Sequence, residues 1–107
     1  MNWTVEFLNE AVLDEFKDLP LDLQAGIMRV VSLIQAHGLE KIGMPYVRHL
    51  TGKLWEIRGK GKNGISRSIY VTSSGRRIVV LRSFVKKTEK TPKSEIQIAL
   101  KRLEDLK

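Results

Sequence analysis

From Trp3 to Phe7 polar and apolar residues alternate, which is the period of a short strand. Leu8, Ala11, Val12, Phe16 and Leu19 then recur at helical spacing. Asn9 is placed to cap that helix, and Glu10 sits in its first turn, where a carboxylate meets the positive end of the helix dipole. Pro20 suits the first turn of a second helix. In it Leu23, Ile27, Val30, Val31 and Ile34 make one apolar stripe, ended by Gly38. The pattern predicts a helical hairpin with an acidic outer face, then a loop over 38–52 that holds Gly38, Gly43, Pro45 and Gly52.

From Lys53 the period becomes two. Leu54–Arg58 predicts a strand, Gly59–Gly64 a turn, Ile65–Thr72 a second strand and Ser73–Gly75 a tight turn. Arg77–Val85 predicts a third strand with Ile78–Leu81 as its buried centre. Consecutive strands joined by Gly-containing turns make an antiparallel meander. Lys86–Lys90 then leaves the sheet, and Thr91 and Pro92 open a last helix as N-cap and first helical residue. Ile96, Ala99, Leu100, Leu103 and Leu106 give that helix its stripe. The order β-α-α-β-β-β-α predicts an α+β fold in two layers. The sheet is mostly antiparallel and packs its helices on one face, leaving the other partly open.

A chain of 107 residues, 42% of them hydrophobic, is expected to form a single domain over 1–107 with its own core. The lack of cysteine excludes disulfides, thiolate catalysis and a Cys-based zinc site. His37 and His49 alone are too few for a His-based metal centre, so neither metal nor cofactor is expected. The first residues carry no cationic region before an apolar run, and Arg29, Ser32 and Gln35 interrupt the longest apolar helix. The expected location is cytoplasmic, with no membrane partner.

Charge changes the picture more than composition does. Residues 1–40 carry a net charge of −5, with Lys17 and Arg29 the only cations, whereas residues 41–93 carry +12. So dense a positive field attracts polyanions and weakens with salt. Nucleic acid is the partner this polarity favours over a merely solvated surface.

Particular residues sharpen that expectation. The segments Leu54-Trp55-Glu56-Ile57-Arg58, Ser66-Arg67-Ser68-Ile69-Tyr70, Val80-Leu81-Arg82-Ser83-Phe84-Val85-Lys86-Lys87-Thr88 and Lys90-Thr91-Pro92, with Ala99 in the last helix, resemble the RelE/HigB toxin superfamily of bacterial type II toxin–antitoxin systems. They look closest to its phage-derived, HigB-like branch. The resemblance implies a small RNase-like fold that cuts mRNA, mostly at the ribosomal A site, and so blocks translation and arrests growth. It also implies a helix-turn-helix antitoxin as partner. Relatives often carry a His before the Phe-Xaa-Lys-Lys, where this chain has Arg82-Ser83.

Cutting RNA without a metal needs a base for the 2′-OH, stabilisation of the charge that develops on phosphorus oxygens, and an acid for the leaving 5′-oxygen. Arg58 and Arg67 have forked guanidiniums that match phosphate oxygens and are the expected clamp. One of them could instead form a structural ion pair with Glu56, which is itself a candidate base. Lys86 and Lys87, and after them Lys90, stand in for the missing histidine, because like-charged neighbours disfavour the protonated amine. Equally, the pair could only position a phosphate backbone. Lys53, Lys60, Lys62, Arg82 and Lys90 are further candidate RNA contacts, Lys60 and Lys62 in an exposed turn between glycines. Tyr70 and Trp55 could stack on a base or pack against the helices. His49 borders the meander, and His37 suits a C-terminal capping cation. The expected activity is a ribosome-dependent endoribonuclease. A ParE-like toxin that acts on DNA gyrase, or a non-catalytic RNA- or ribosome-binding module, are the alternatives.

Overall fold

A computed structural model describes residues 2–87 and 90–106. Thr88 and Glu89, within the segment that carries part of the resemblance, lie outside the described residues. The elements are β1 (Thr4–Phe7), α1 (Glu10–Lys17), α2 (Leu21–His37), β2 (Val47–Thr51), β3 (Leu54–Gly61), β4 (Gly64–Ser73), β5 (Arg77–Lys86) and α3 (Lys93–Leu103), with short 3-10 turns at Leu39–Lys41 and Glu104–Leu106. The strands form one sheet in the order β1-β5-β4-β3-β2. β1 pairs with β5 in parallel, and every other pairing is antiparallel. The α+β class, the mostly antiparallel sheet, the N-terminal helices and the C-terminal helix are as the sequence predicts.

Local chemistry explains most boundaries. Asn9 Oδ1 accepts from Val12 N–H at 3.0 Å and starts α1. Gly38 ends α2 at φ +90°, a backbone that glycine adopts freely, and its N–H donates to Ile34 O at 2.7 Å. Pro20 caps α2 from outside the helix instead of occupying its first turn.

Three elements differ from expectation. The loop over 38–52 contains β2, which joins the sheet edge through Val47↔Ile57 and His49↔Trp55. β3 runs on through Gly59 and Lys60 to Gly61, so the turn into β4 contracts to Lys62 and Asn63 and Lys60 is a strand residue. Thr91 does not cap α3; Pro92 takes that position.

The helices also divide between the two faces. On one face α2 packs Leu23, Ile27, Val30, Val31 and Ile34 against Val47, Ile57, Tyr70 and Ile78. On the other, α3 sets Ala99, Ile96 and Leu103 against Leu54, Ile69, Val71, Val79, Leu81 and Phe84. Residues 66–71 of β4 and 78–81 of β5 are buried on both faces, and such strands need cover on both. The face expected to be open is therefore partly closed by α3. Arg82 fastens this arrangement: it pairs with Glu95 of α3 at 2.6 Å and with Glu15 of α1 at 2.8 Å, and Glu15 also holds Arg102 at 2.7 Å.

Candidate functional site

α2 crosses β3 unusually closely, because two glycines meet there. A methyl group on Gly26 would fall 2.5 Å from Lys60 O, and one on Gly59 would fall 2.8 Å from Ile27 N. Asp22, at the start of α2, tightens the crossing by accepting from the Asn63 backbone at 2.7 Å and from its side-chain amide at 3.0 Å. These hydrogen bonds from Asn63 hold the Asp22 carboxyl below its ordinary value. β2 begins beside Ile57, and just past it, at the edge of β3, Tyr46 O accepts from Arg58 N–H at 2.8 Å. Between this edge, α2 and Tyr46 lies a cleft of about 510 Å³. Arg29, Arg58, Lys60 and Arg67 line it, with Val30, Leu33, Pro45, Tyr46 and Ile65 as its apolar walls and, among the described residues, no carboxylate in its lining.

Arg58 and Arg67 are direct cross-strand partners. Alternation along β3 puts Arg58 on the same face as Glu56 and Leu54. Glu56 is only 1% exposed. Its Oε2 lies 3.4 Å from Arg67 Nε and 4.0 Å from Arg58 Nε, and its Oε1 accepts from Thr91 Oγ1 at 2.6 Å. Arg67 is equally buried and donates from Nη1 to Ser66 O at 3.1 Å. Arg58 keeps a fifth of its side chain exposed and rests Nη1 on Met44 Sδ at 3.6 Å. The expected clamp thus splits into an inner arginine neutralised by a carboxylate and an outer one that faces the cleft. Glu56 spans both offered roles only in part: it is ion-paired, and its oxygens are enclosed.

The remaining candidates scatter. Lys86 ends β5 opposite Ile65, which in turn opposes Lys60, so the two lysines share one row across three strands. Lys87 and Lys90 are exposed beyond it. Lys62 lies in the β3–β4 turn, near the cleft's end of β3, while Lys53 lies at the other end of that strand. Tyr70 is 1% exposed in the core against α2, where burial raises its hydroxyl pKa. It packs and does not stack on RNA. Arg82, expected as an RNA contact, is ion-paired to Glu15 and Glu95 and ties α1 and α3 to the sheet. His49 stands edge-on to Trp55 at 4.9 Å and bonds Gly52 O, and His37 is the last residue of α2. Sequence reasoning missed Tyr46, Arg29 and Thr91 as members of this region. Arg29 had one signal: it is a lone cation on a helix whose neighbours are acidic. Among the described residues no three His, Asp or Glu side chains gather as a metal-ligand set.

The family model for Phage derived protein Gp49-like (DUF891) matches residues 14–104. The chain belongs to this family. Gp49-like proteins are a RelE-like family associated with toxin–antitoxin systems. The match takes in α2, β2 to β5 and α3, and with them every cleft residue named above. Curated proteins yield no match to the chain. Among the described residues, no helix is long and apolar enough to cross a membrane.

Proposed function

We propose that this Gp49-like chain is the toxin of a type II toxin–antitoxin pair, of the HigB-like branch, and cuts mRNA on the ribosome without a metal. The observation that carries the reading is the cleft in which Arg29, Arg58, Lys60 and Arg67 converge, with no lining carboxylate among the described residues. A phosphodiester matches such a site in charge and in the forked geometry of guanidinium.

In this reading Arg58 contacts the scissile phosphate and stabilises its developing charge. Arg67 and Glu56 are positioning residues: the buried pair fixes the direction of β3's outward arginine. Lys86 and Lys87 are the candidates for taking the 2′-OH proton and returning one to the 5′-oxygen. A helix-turn-helix antitoxin would silence the protein by covering the cleft or keeping it from the ribosome. The enclosure of Glu56 and Arg67 favours a second reading, in which the same cleft binds RNA and leaves it whole.

The deciding experiment adds purified protein to mRNA-programmed ribosomes and to the same mRNA alone, with ends mapped by primer extension. Cuts that need ribosomes, and that fall about 100- to 1,000-fold in rate with Arg58→Ala, support the nuclease. Whole RNA that still binds the protein supports the second reading. Whole and unbound RNA, from folded protein that arrests growth, would point to the gyrase-directed alternative.

A further inference from the structure

We propose that Tyr46 is a base-stacking platform, and that with Arg29 and Lys60 it makes the cleft a subsite for one unpaired nucleotide of single-stranded RNA. The proposal rests on the nucleic-acid reading of the cleft and adds to it what the cleft would hold.

Three observations carry it. Tyr46 keeps 44% of its surface exposed although it lines a cleft, so a large aromatic surface is left for an incoming group. Its backbone is pinned on both sides: Tyr46 N–H donates to Gly43 O at 2.9 Å, and Tyr46 O accepts from Arg58 N–H at 2.8 Å. The backbone that carries the ring is thus held beside that of the outer arginine. Finally, the lining combines cations with apolar surface: Arg29 sits one helical turn from Leu33 on α2, and Lys60 and Pro45 line the same cleft. A nucleotide offers a counterpart to each kind of lining, an anionic phosphate for the cations and a flat base for the apolar and aromatic surface. Stacking on an aromatic ring is open only to an unpaired base, because a paired one is already stacked. Arg29 belongs to this set by position: it is one of two cations in the first 40 residues and lies at the cleft.

The test measures anisotropy of a fluorescein-labelled uridine decamer, and of a duplex RNA of equal length, over a series of salt concentrations. Tyr46→Ala should weaken decamer binding about tenfold while leaving the salt slope unchanged. Tyr46→Phe, which keeps the ring, should recover most of that loss. Arg29→Ala and Lys60→Ala should each flatten the slope by about 0.7, the value for one phosphate contact on a single strand. Both hydrogen bonds at position 46 are made by backbone, so the alanine variant keeps the local fold.

Tyr46→Ala that binds like the parent, or duplex that binds as well as single strand, overturns the subsite. Cleavage on ribosomes that survives alongside unchanged Tyr46→Ala binding removes the subsite alone. Binding that follows the Tyr46 rule while mRNA stays whole removes only the nuclease.

Discussion

Thr91 Oγ1 donates a 2.6 Å hydrogen bond to Glu56 Oε1, tying the entrance of α3 to the middle of β3. A hydroxyl bound to a carboxylate is stronger than one capping an exposed helix end, which explains why Thr91 leaves the cap to Pro92. Thr91→Val should therefore cost about 1–3 kcal/mol in urea unfolding, since it strips a buried acceptor of its donor. Thr91→Ser should keep most of the stability. A valine variant as stable as the parent would show that the bond contributes nothing.

Arg67 lies closer to Glu56 than Arg58 does. Arg67→Ala leaves a carboxylate that is 1% exposed without its nearest cation. A loss of about 3–5 kcal/mol is expected for breaking a buried pair from one side. Removing Glu56 as well should restore part of it, so the double variant should unfold at higher urea than Arg67→Ala alone. For the same reason Arg58→Ala is the cleaner probe of activity.

Gly26 shows packing overruling helix propensity. Alanine is favoured over glycine inside a helix by about 0.5–1 kcal/mol, yet its methyl would fall 2.5 Å from Lys60 O. Gly26→Ala should lower the melting temperature and weaken RNA binding, because α2 and β3 must part at the cleft. A variant that melts higher would refute the tight crossing.

What the chain's pattern revealed, and what it hid, follows from these contacts. The two long helices and the meander were legible because each has one clean period bounded by Gly or Pro. β2 was hidden: of Val47–Thr51 only Val47 is buried, so an edge strand leaves no alternation to read. Gly59 reads as a turn residue from sequence, but it sits in a strand because Ile27's backbone passes against it. The run Ile78–Leu81 carries the mark of two-sided burial, whereas placing every helix on one face of the sheet implied an open one. Glu56, Arg58 and Arg67 were legible as a group, since neighbouring strands bring them together. Tyr46 and Arg29 were not, because only the crossing of α2 over β3 sets them at one cleft.

Acid should loosen the helix ties first. Burial alone would raise the Glu15 carboxyl, but the hydrogen bond from Arg102 and the charges of Arg82 and Arg102 outweigh it and hold the group below its ordinary value. At Glu6 the hydrogen bond from Arg77 does the same. A depressed carboxylate stabilises the fold above its unfolded value, about 4.3, and that contribution fades as pH falls through the lower folded one. Glu15→Gln should therefore melt well below the parent at pH 7, with the gap closing toward pH 3. A gap that persists in acid would assign Glu15's role to packing.

The parallel pairing of β1 with β5 has a consequence in time. Thr4 lies beside Arg77 and Phe7 beside Val80, so β1 has no place in the sheet until β5 exists. The Thr91–Glu56 bond comes later still. A nascent chain can gather α2 and the β3–β4 hairpin early, but Glu56, which pairs with the cleft's Arg67, lacks its Thr91 donor until the segment before α3 has been made. Contacts so distant along the chain close slowly. The pairing of the chain's strands thus keeps the cleft unfinished until β5 and the segment before α3 have both been made.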